Sequence, residues 1–332
     1  MEHLGEEELH YDSIGEKNDI PIEEERELWK NYYINKYIFI PKNCPQCNHP
    51  NISIVNFNST LNPIKGGCNN KTCKYRFYLR SYSFFKYFPK IPAQIIVNII
   101  KQMILENKNA TLIRKYLKEK YNNTKINIRI IFKIMLYIRK CIAQYLNYIY
   151  LTKEISQING NVPYAIDESL FTHKNNIPIW VVGIVSTTNK ENLRLHTTKI
   201  RNSNYLRTFI HKYIEPGNRI ISDGWQGYQF LNNNNSGYIH ISYNHGGGHW
   251  GIGELSTSHI EGIWSYLKTT IKRIYYSIPN KGFYFFLKES EFRYLYKNQN
   301  NIAKLEIFNK ILKFNFNNNF IFSTVENLNS LV

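Results

Sequence analysis

A change in hydrophobic period along residues 163–267 constrains the fold of this chain more than any other feature. Short runs of apolar and β-branched residues predict five strands, at 164–171, 179–185, 193–200, 219–222 and 238–243. Helical spacing of apolar residues predicts a helix over 204–214. A second helical stripe consists of Ile260, Ile263, Trp264 and Leu267. Strands interleaved with helices in this way predict a mixed α/β domain.

Three acidic residues fall where such a domain joins its strand ends to a helix. Asp167 lies in the first strand among alternating apolar residues, Asp223 ends the fourth strand, and Glu261 borders the stripe of the last helix. The element order, three strands, helix, strand, helix, strand, helix, is that of an RNase H-like fold, in which the first and fourth strands are neighbours. We therefore expect Asp167 and Asp223 to lie side by side.

Carboxylates held this close repel each other unless a cation lies between them. Mg²⁺ prefers oxygen ligands and keeps several waters, which suits a site made of few carboxylates, and Mn²⁺ can replace it. The three acids, Asp167, Asp223 and Glu261, predict a two-metal site for in-line attack on a phosphodiester. Taken singly, each acid has an ordinary alternative as a helix cap or a surface charge.

Four of the five cysteines form two pairs, Cys44-x2-Cys47 and Cys68-x4-Cys73, separated by twenty residues. Pairs on tight turns joined by a hairpin, with a strand at 52–55, place four thiolates around Zn²⁺. The sequence thus predicts a zinc ribbon over 40–90 that serves DNA or partner binding, or only structure. Because four thiols complete the coordination shell, we interpret His49 as a surface residue.

Residues 91–151 have the apolar spacing of three helices, at 93–107, 111–120 and 128–150. A short turn between helices with exposed basic residues is typical of a helix-turn-helix DNA-binding module. A plain helical linker fits the same pattern. Cys141, on the third helix, is expected to be a small buried apolar residue.

Charge is divided unevenly along the chain. Residues 1–27 hold eleven acidic and two basic side chains, whereas the remainder holds 40 basic and 14 acidic ones. A body this basic, with aromatic residues interleaved, favours a polyanionic partner, although lysine-rich composition from an AT-rich genome gives the same balance. The acidic block predicts a mobile tail, and we predict a further tail at 301–332.

The chain contains neither a signal pattern nor an apolar run of membrane-spanning length, so we expect an intracellular protein without a membrane partner. In a eukaryote, a protein that acts on DNA would be nuclear.

Four segments together resemble the motifs of the Merlin superfamily of DNA transposases and of the related bacterial insertion-sequence transposases. They are 165–169 (AIDES), 220–228 (IISDGWQGY), 244–245 (NH) and 260–268 (IEGIWSYLK). The resemblance covers about residues 40–300. It implies a zinc ribbon and helical DNA-binding segment before an RNase H-like catalytic domain over 160–300. It also implies that Asp167, Asp223 and Glu261 form an Asp-Asp-Glu (DDE) triad.

The resemblance further implies cut-and-paste transposition by an oligomer that binds terminal inverted repeats and joins 3′ ends to target DNA. His245 and Trp225 match family positions and are expected to support the site, whereas His249 is expected to be an ordinary loop residue. The family pattern His-Thr-Asn before the glutamate is replaced by Ser256-Thr257-Ser258. Two alternatives stay open: a domesticated DNA-binding protein without strand transfer, and a nuclease or resolvase that cuts without joining.

Overall fold

The computed structural model describes residues 20–38, 40–121, 126–152, 162–190, 192–244, 251–277 and 282–317. The chain divides into two compact units: residues 1–138 with 301–319, and residues 139–300 with 320–332. The five-part domain division predicted above stays a prediction. Among the described helices, none combines the length and apolar character that crossing a membrane requires.

The first unit contains a three-stranded antiparallel sheet that carries both cysteine pairs. The strands are β1 (Ile52–Asn56), β2 (Ile64–Cys68) and β3 (Arg76–Tyr78), with β2 in the centre. Two short 3-10 helices follow, at Leu79–Tyr82 and Phe84–Tyr87. Gly66 is required on β2, because a Cβ there would meet the Phe77 ring at 2.2 Å.

Helix α1 (Ile22–Ile34) corrects the predicted extent of the acidic tail. Glu25 is wholly buried, and its carboxylate accepts hydrogen bonds from the Trp29 indole and from the backbone N–H groups of Ala93 and Gln94. Those two amides open the next helix, so Glu25 caps it favourably. Residues 22–27 are therefore packed structure. The rest of the predicted acidic tail, residues 1–19, lies outside the described residues.

Helices α2 (Ala93–Ile104), α3 (Ala110–Lys120) and α4 (Ile128–Thr152) follow in the order predicted from apolar spacing. The Asn109 side chain caps α3 by accepting the N–H of Leu112 at 3.1 Å. Cys141 on α4 is fully buried, which agrees with its predicted role as a small apolar residue. Helix α8 (Asn301–Asn317) belongs to the first unit and occupies the start of the predicted C-terminal tail, with Phe308 and Ile311 buried.

The second unit is built on a five-stranded mixed sheet. Its strands are β4 (Pro163–Lys174), β5 (Ile177–Ser186), β6 (Leu193–Thr198), β7 (Arg219–Asp223) and β8 (Ile239–Tyr243). Their spatial order is β6-β5-β4-β7-β8, with β4, β5 and β6 antiparallel and β7 and β8 parallel to β4. This arrangement fits an RNase H-like domain.

Both faces of the sheet are covered. Helix α5 (Ser203–Tyr213) packs on one face through Leu206, Phe209 and Ile210. Helices α6 (Ser258–Tyr275) and α7 (Phe283–Leu295) cover the other, which buries the predicted stripe of α6. Between β7 and β8, where the element order predicted a helix, the chain forms 3-10 helices at Gln226–Asn232 and Asn234–Ser236. Asn and Gly are poor helix formers, which explains why no α-helix extends through this segment.

Candidate active site and cysteine cluster

Asp167 lies within β4 (Pro163–Lys174), and Asp223 ends its neighbour β7 (Arg219–Asp223). The two strands are parallel, and Ala165 pairs with Ile221. Continued by two residues, that register sets Asp167 level with Asp223. The neighbouring strands, predicted from the element order, are thus present in the structure.

Asp167 is held by the helix opposite. The indole Nε1 of Trp264 donates a hydrogen bond of 2.8 Å to its Oδ2. Burial, together with the negative charges of Asp223 and Glu261, raises the pKa of the Asp167 carboxyl to about 6, against the lowering effect of the Trp264 hydrogen bond. All three predicted acids therefore lie close enough to interact electrostatically, which is the arrangement that a cation would stabilise.

The carboxylates of Asp223 and Glu261 each have a local hydrogen-bond donor. The backbone N–H of Trp225 donates to Asp223 Oδ1 at 3.1 Å, in the turn that leaves β7. Glu261 lies in the first turn of α6, where its carboxylate accepts the Thr257 hydroxyl at 3.1 Å. The positive end of the helix dipole favours an acidic side chain at this position.

The three acids have the donor chemistry of a Mg²⁺ or Mn²⁺ site, since all their ligand atoms would be carboxylate oxygens. They are not drawn together as tightly as ligands around one ion. Among the described residues, four cysteines have ligand atoms that all lie within 4.8 Å of one another. No set of three acidic residues there is clustered in the same way.

The two serines that depart from the family pattern bond to each other. Ser256 Oγ donates to Ser258 Oγ at 2.8 Å, and it accepts the Ser258 backbone N–H at 3.1 Å. Short polar side chains of this kind stabilise a turn before a helix. The approach to α6 is therefore ordered with serine at both positions, and Thr257 between them remains bonded to Glu261.

Of the two predicted supporting residues, Trp225 is among the described residues and His245 is not. Trp225 lies two residues after Asp223, and its ring lies over the backbone of Gly227, where a Cβ would meet it at 2.0 Å. His245 and His249 lie outside the described residues. His49 is not part of the cysteine cluster, as expected, and its Nδ1 accepts the N–H of Asn51 at 3.2 Å.

Cys44, Cys47, Cys68 and Cys73 are free thiols whose sulfur atoms all lie within 4.8 Å of one another. The Cys44–Cys73 and Cys47–Cys68 sulfur distances are 3.9 and 3.6 Å. A tetrahedral ion with bonds of about 2.3 Å to sulfur sets its ligands about 3.8 Å apart. The backbone N–H groups of Gln46 and Asn70 also point at Cys44 and Cys68. The cluster is consistent with a zinc ribbon.

Sequence reasoning missed a second buried carboxylate beside the first aspartate. Glu168 follows Asp167 on β4 and accepts hydrogen bonds from the Tyr228 hydroxyl at 2.5 Å and from Arg201 at 3.2 Å. Burial raises the pKa of Glu168 to about 7, against the effects of Tyr228 and Arg201. Two consecutive acids in a strand covered on both faces were the available signal, since each must then be buried.

Comparison with known protein families indicates which class of protein the second unit resembles. Residues 169–294 match the family model of the ISXO2-like transposase domain. The matched segment begins two residues after Asp167 and contains Asp223 and Glu261.

This match supports an insertion-sequence transposase of the DDE type, as the motif resemblance predicted. A comparison with curated protein sequences returns no match. The narrower relationship to the Merlin superfamily stays a prediction.

Proposed function

We propose that this protein is a DNA transposase that cuts and joins DNA ends at a site formed by Asp167, Asp223 and Glu261. What supports the proposal is that the charges of Asp223 and Glu261 act on the Asp167 carboxyl, on neighbouring strands β4 and β7. Residues 169–294, which begin two residues after Asp167 and contain the other two acids, match the transposase family. A transposase domain acts on DNA, so the remaining question concerns the chemistry at these acids.

The side chains of the proposed triad would hold Mg²⁺ or Mn²⁺, which activates a water or 3′-hydroxyl nucleophile and stabilises the leaving oxygen of a phosphodiester. The protein's own contribution is to fix the three carboxylates. The Trp264 indole orients Asp167, the Trp225 amide orients Asp223, and the Thr257 hydroxyl orients Glu261. Each donor stabilises the charged carboxylate that a cation requires.

The first unit is proposed to bind the terminal inverted repeats of the mobile element. Four thiolates at tetrahedral spacing support a bound Zn²⁺, and α2 with the capped α3 supports the predicted helix-turn-helix. Lys115 and Lys118 are exposed on α3 and are suited to phosphate contacts. Because two element ends must be joined, the working form is proposed to be a homo-oligomer, which is nuclear if the source is a eukaryote.

The test is strand transfer by purified protein on DNA fragments that carry the element's own ends, with Mg²⁺ or Mn²⁺. We expect joined products that disappear in Asp223→Asn. Cleaved ends without joined products would indicate a nuclease or resolvase. Tight binding of the ends without cleavage in either metal would contradict the catalytic proposal and indicate a domesticated DNA-binding protein.

A further inference from the structure

Glu168 joins the strand that carries Asp167 to the loop that follows Asp223. Its carboxylate is fully buried on the sheet face opposite to α6, because successive side chains of a strand point to opposite faces. Oε1 accepts the Tyr228 hydroxyl, and Oε2 accepts Nε and Nη2 of Arg201 at 3.3 and 3.2 Å. We call these three residues the Glu168 cluster.

Two members of the Glu168 cluster reach the loop after β7. Tyr228 lies five residues beyond Asp223, in the 3-10 helix that the loop enters, and is 1% exposed. Arg201 has its guanidinium carbon 3.9 Å from the ring centroid of Trp225 and 4.6 Å from that of Trp180. The Trp225 backbone N–H in turn bonds the Asp223 carboxylate. The loop is thus held at two points by one carboxylate.

We propose that Glu168 is a positioning residue that sets the distance between Asp167 and Asp223 and thereby tunes the affinity of the site for divalent metal. The inference rests on the proposed function, because it concerns the same two aspartates. Asp167 is the chain neighbour of Glu168, and Asp223 precedes the loop that Tyr228 and Arg201 attach to Glu168. Outer partners of metal ligands commonly change metal affinity about 10- to 100-fold when they are removed.

A purely stabilising role explains these contacts less well. Burying the Glu168 carboxylate is costly, and apolar residues of the same volume often stabilise a core as well as a buried ion pair or better. A fully hydrogen-bonded polar cluster, in contrast, fixes one geometry of the groups around it. The Glu168 cluster connects the residue after Asp167 to the loop after Asp223. A fixed geometry there would set the distance between two carboxylates that repel each other.

The experiment is a titration of the full-length zinc-loaded protein with Mn²⁺, in which free Mn²⁺ is measured by electron paramagnetic resonance. Tyr228→Phe is the deciding variant, because it removes one hydroxyl and leaves every charge of the site unchanged. We expect its Mn²⁺ dissociation constant to rise about tenfold. Glu168→Ala should raise the constant at least as much, although the loss of a negative charge contributes there.

Glu291→Gln is the matched control, because Glu291 is also a fully buried, ion-paired carboxylate of the second unit. It should lower the melting temperature and leave Mn²⁺ affinity within twofold of wild type. Should Glu168→Ala fail to fold, Tyr228→Phe alone decides.

Suppose that Tyr228→Phe binds Mn²⁺ as tightly as the wild type, while Asp223→Asn no longer binds Mn²⁺. This result would overturn the positioning role of Glu168 and leave the proposed function standing. If the wild type itself bound no Mn²⁺, both the positioning role and the metal site of the proposed function would fall.

Discussion

Trp264 and Asp167, 97 residues apart in the chain, are joined by a hydrogen bond of 2.8 Å from the indole Nε1 to Oδ2. The bond connects helix α6, which also carries Glu261, to the central strand of the sheet. One residue of the apolar stripe thus both packs in the core and holds a candidate catalytic carboxylate.

Trp264→Phe should retain most of the packing and lose this hydrogen bond. A hydrogen bond to a charged group contributes about 1.5–3 kcal/mol, so we expect strand transfer to slow by about tenfold or more. Trp29→Phe is the control, because Trp29 makes the same kind of bond, 3.1 Å to buried Glu25, in the first unit. It should lower the melting temperature without changing the rate of the chemical step, measured on pre-bound DNA. Equal effects of the two variants on that rate would contradict the assignment.

The cysteine cluster predicts one zinc ion per chain. Cys68→Ser removes one of four thiolates, so we expect the zinc content measured by mass spectrometry to fall from one to nearly zero, with loss of binding to the element ends. Cys141→Ser is the control, because Cys141 is buried on α4 and is not part of the cluster. Full zinc content in Cys68→Ser would show that the cluster does not depend on that thiolate.

The half-buried His196 predicts that acid destabilises the second unit. Burial, together with Lys288 and Lys212, lowers the pKa of His196 to about 4, and its Nδ1 lies 2.6 Å from the Tyr205 hydroxyl. The unfolded chain binds a proton near pH 6.5 and the folded chain does not, so stability is complete above pH 6.5 and declines as the pH falls toward 4. His196 should thereby contribute a loss of about 1 kcal/mol between pH 7.5 and 5.5.

Urea unfolding of the wild type and of His196→Gln at the two pH values measures this contribution. The variant should lose less stability on acidification, although it is less stable at pH 7.5. His173→Gln, at an exposed position on β4, should behave as the wild type does. An identical loss in wild type and His196→Gln would mean that other groups carry the acid sensitivity.

Periodicity predicted the five strands and helices α5 and α6 of the second unit because its core is strongly patterned, and Ile260, Ile263 and Leu267 became buried as their spacing required. Element order could predict that the strands of Asp167 and Asp223 are neighbours, and β4 and β7 are indeed parallel and adjacent. The Glu168 cluster could not be predicted, because Arg201 and Tyr228 come from separate elements and carry no spacing signal. Glu25 was misassigned for a related reason: its partners Ala93 and Gln94 lie almost 70 residues away.

Gly183 gives a steric test of the contact between α6 and the sheet. It pairs with Asp167 across β4 and β5, and a Cβ added there would meet the Trp264 ring at 2.5 Å and Ile260 at 2.9 Å. Gly183→Ala should therefore displace α6, costing about 1–3 kcal/mol of stability, and should lengthen the Trp264–Asp167 hydrogen bond. We expect a lower melting temperature and a slower chemical step.

Gly262→Ala is the matched control on α6 itself, because a Cβ at Gly262 meets nothing within 4 Å. Alanine is the better helix former by about 1 kcal/mol, so this variant should be slightly more stable than wild type and equally active, although it lies next to Glu261. Differential scanning calorimetry and the strand-transfer rate separate the two variants. If Gly183→Ala kept the wild-type rate, close packing of Trp264 on β5 would not be needed to hold Asp167.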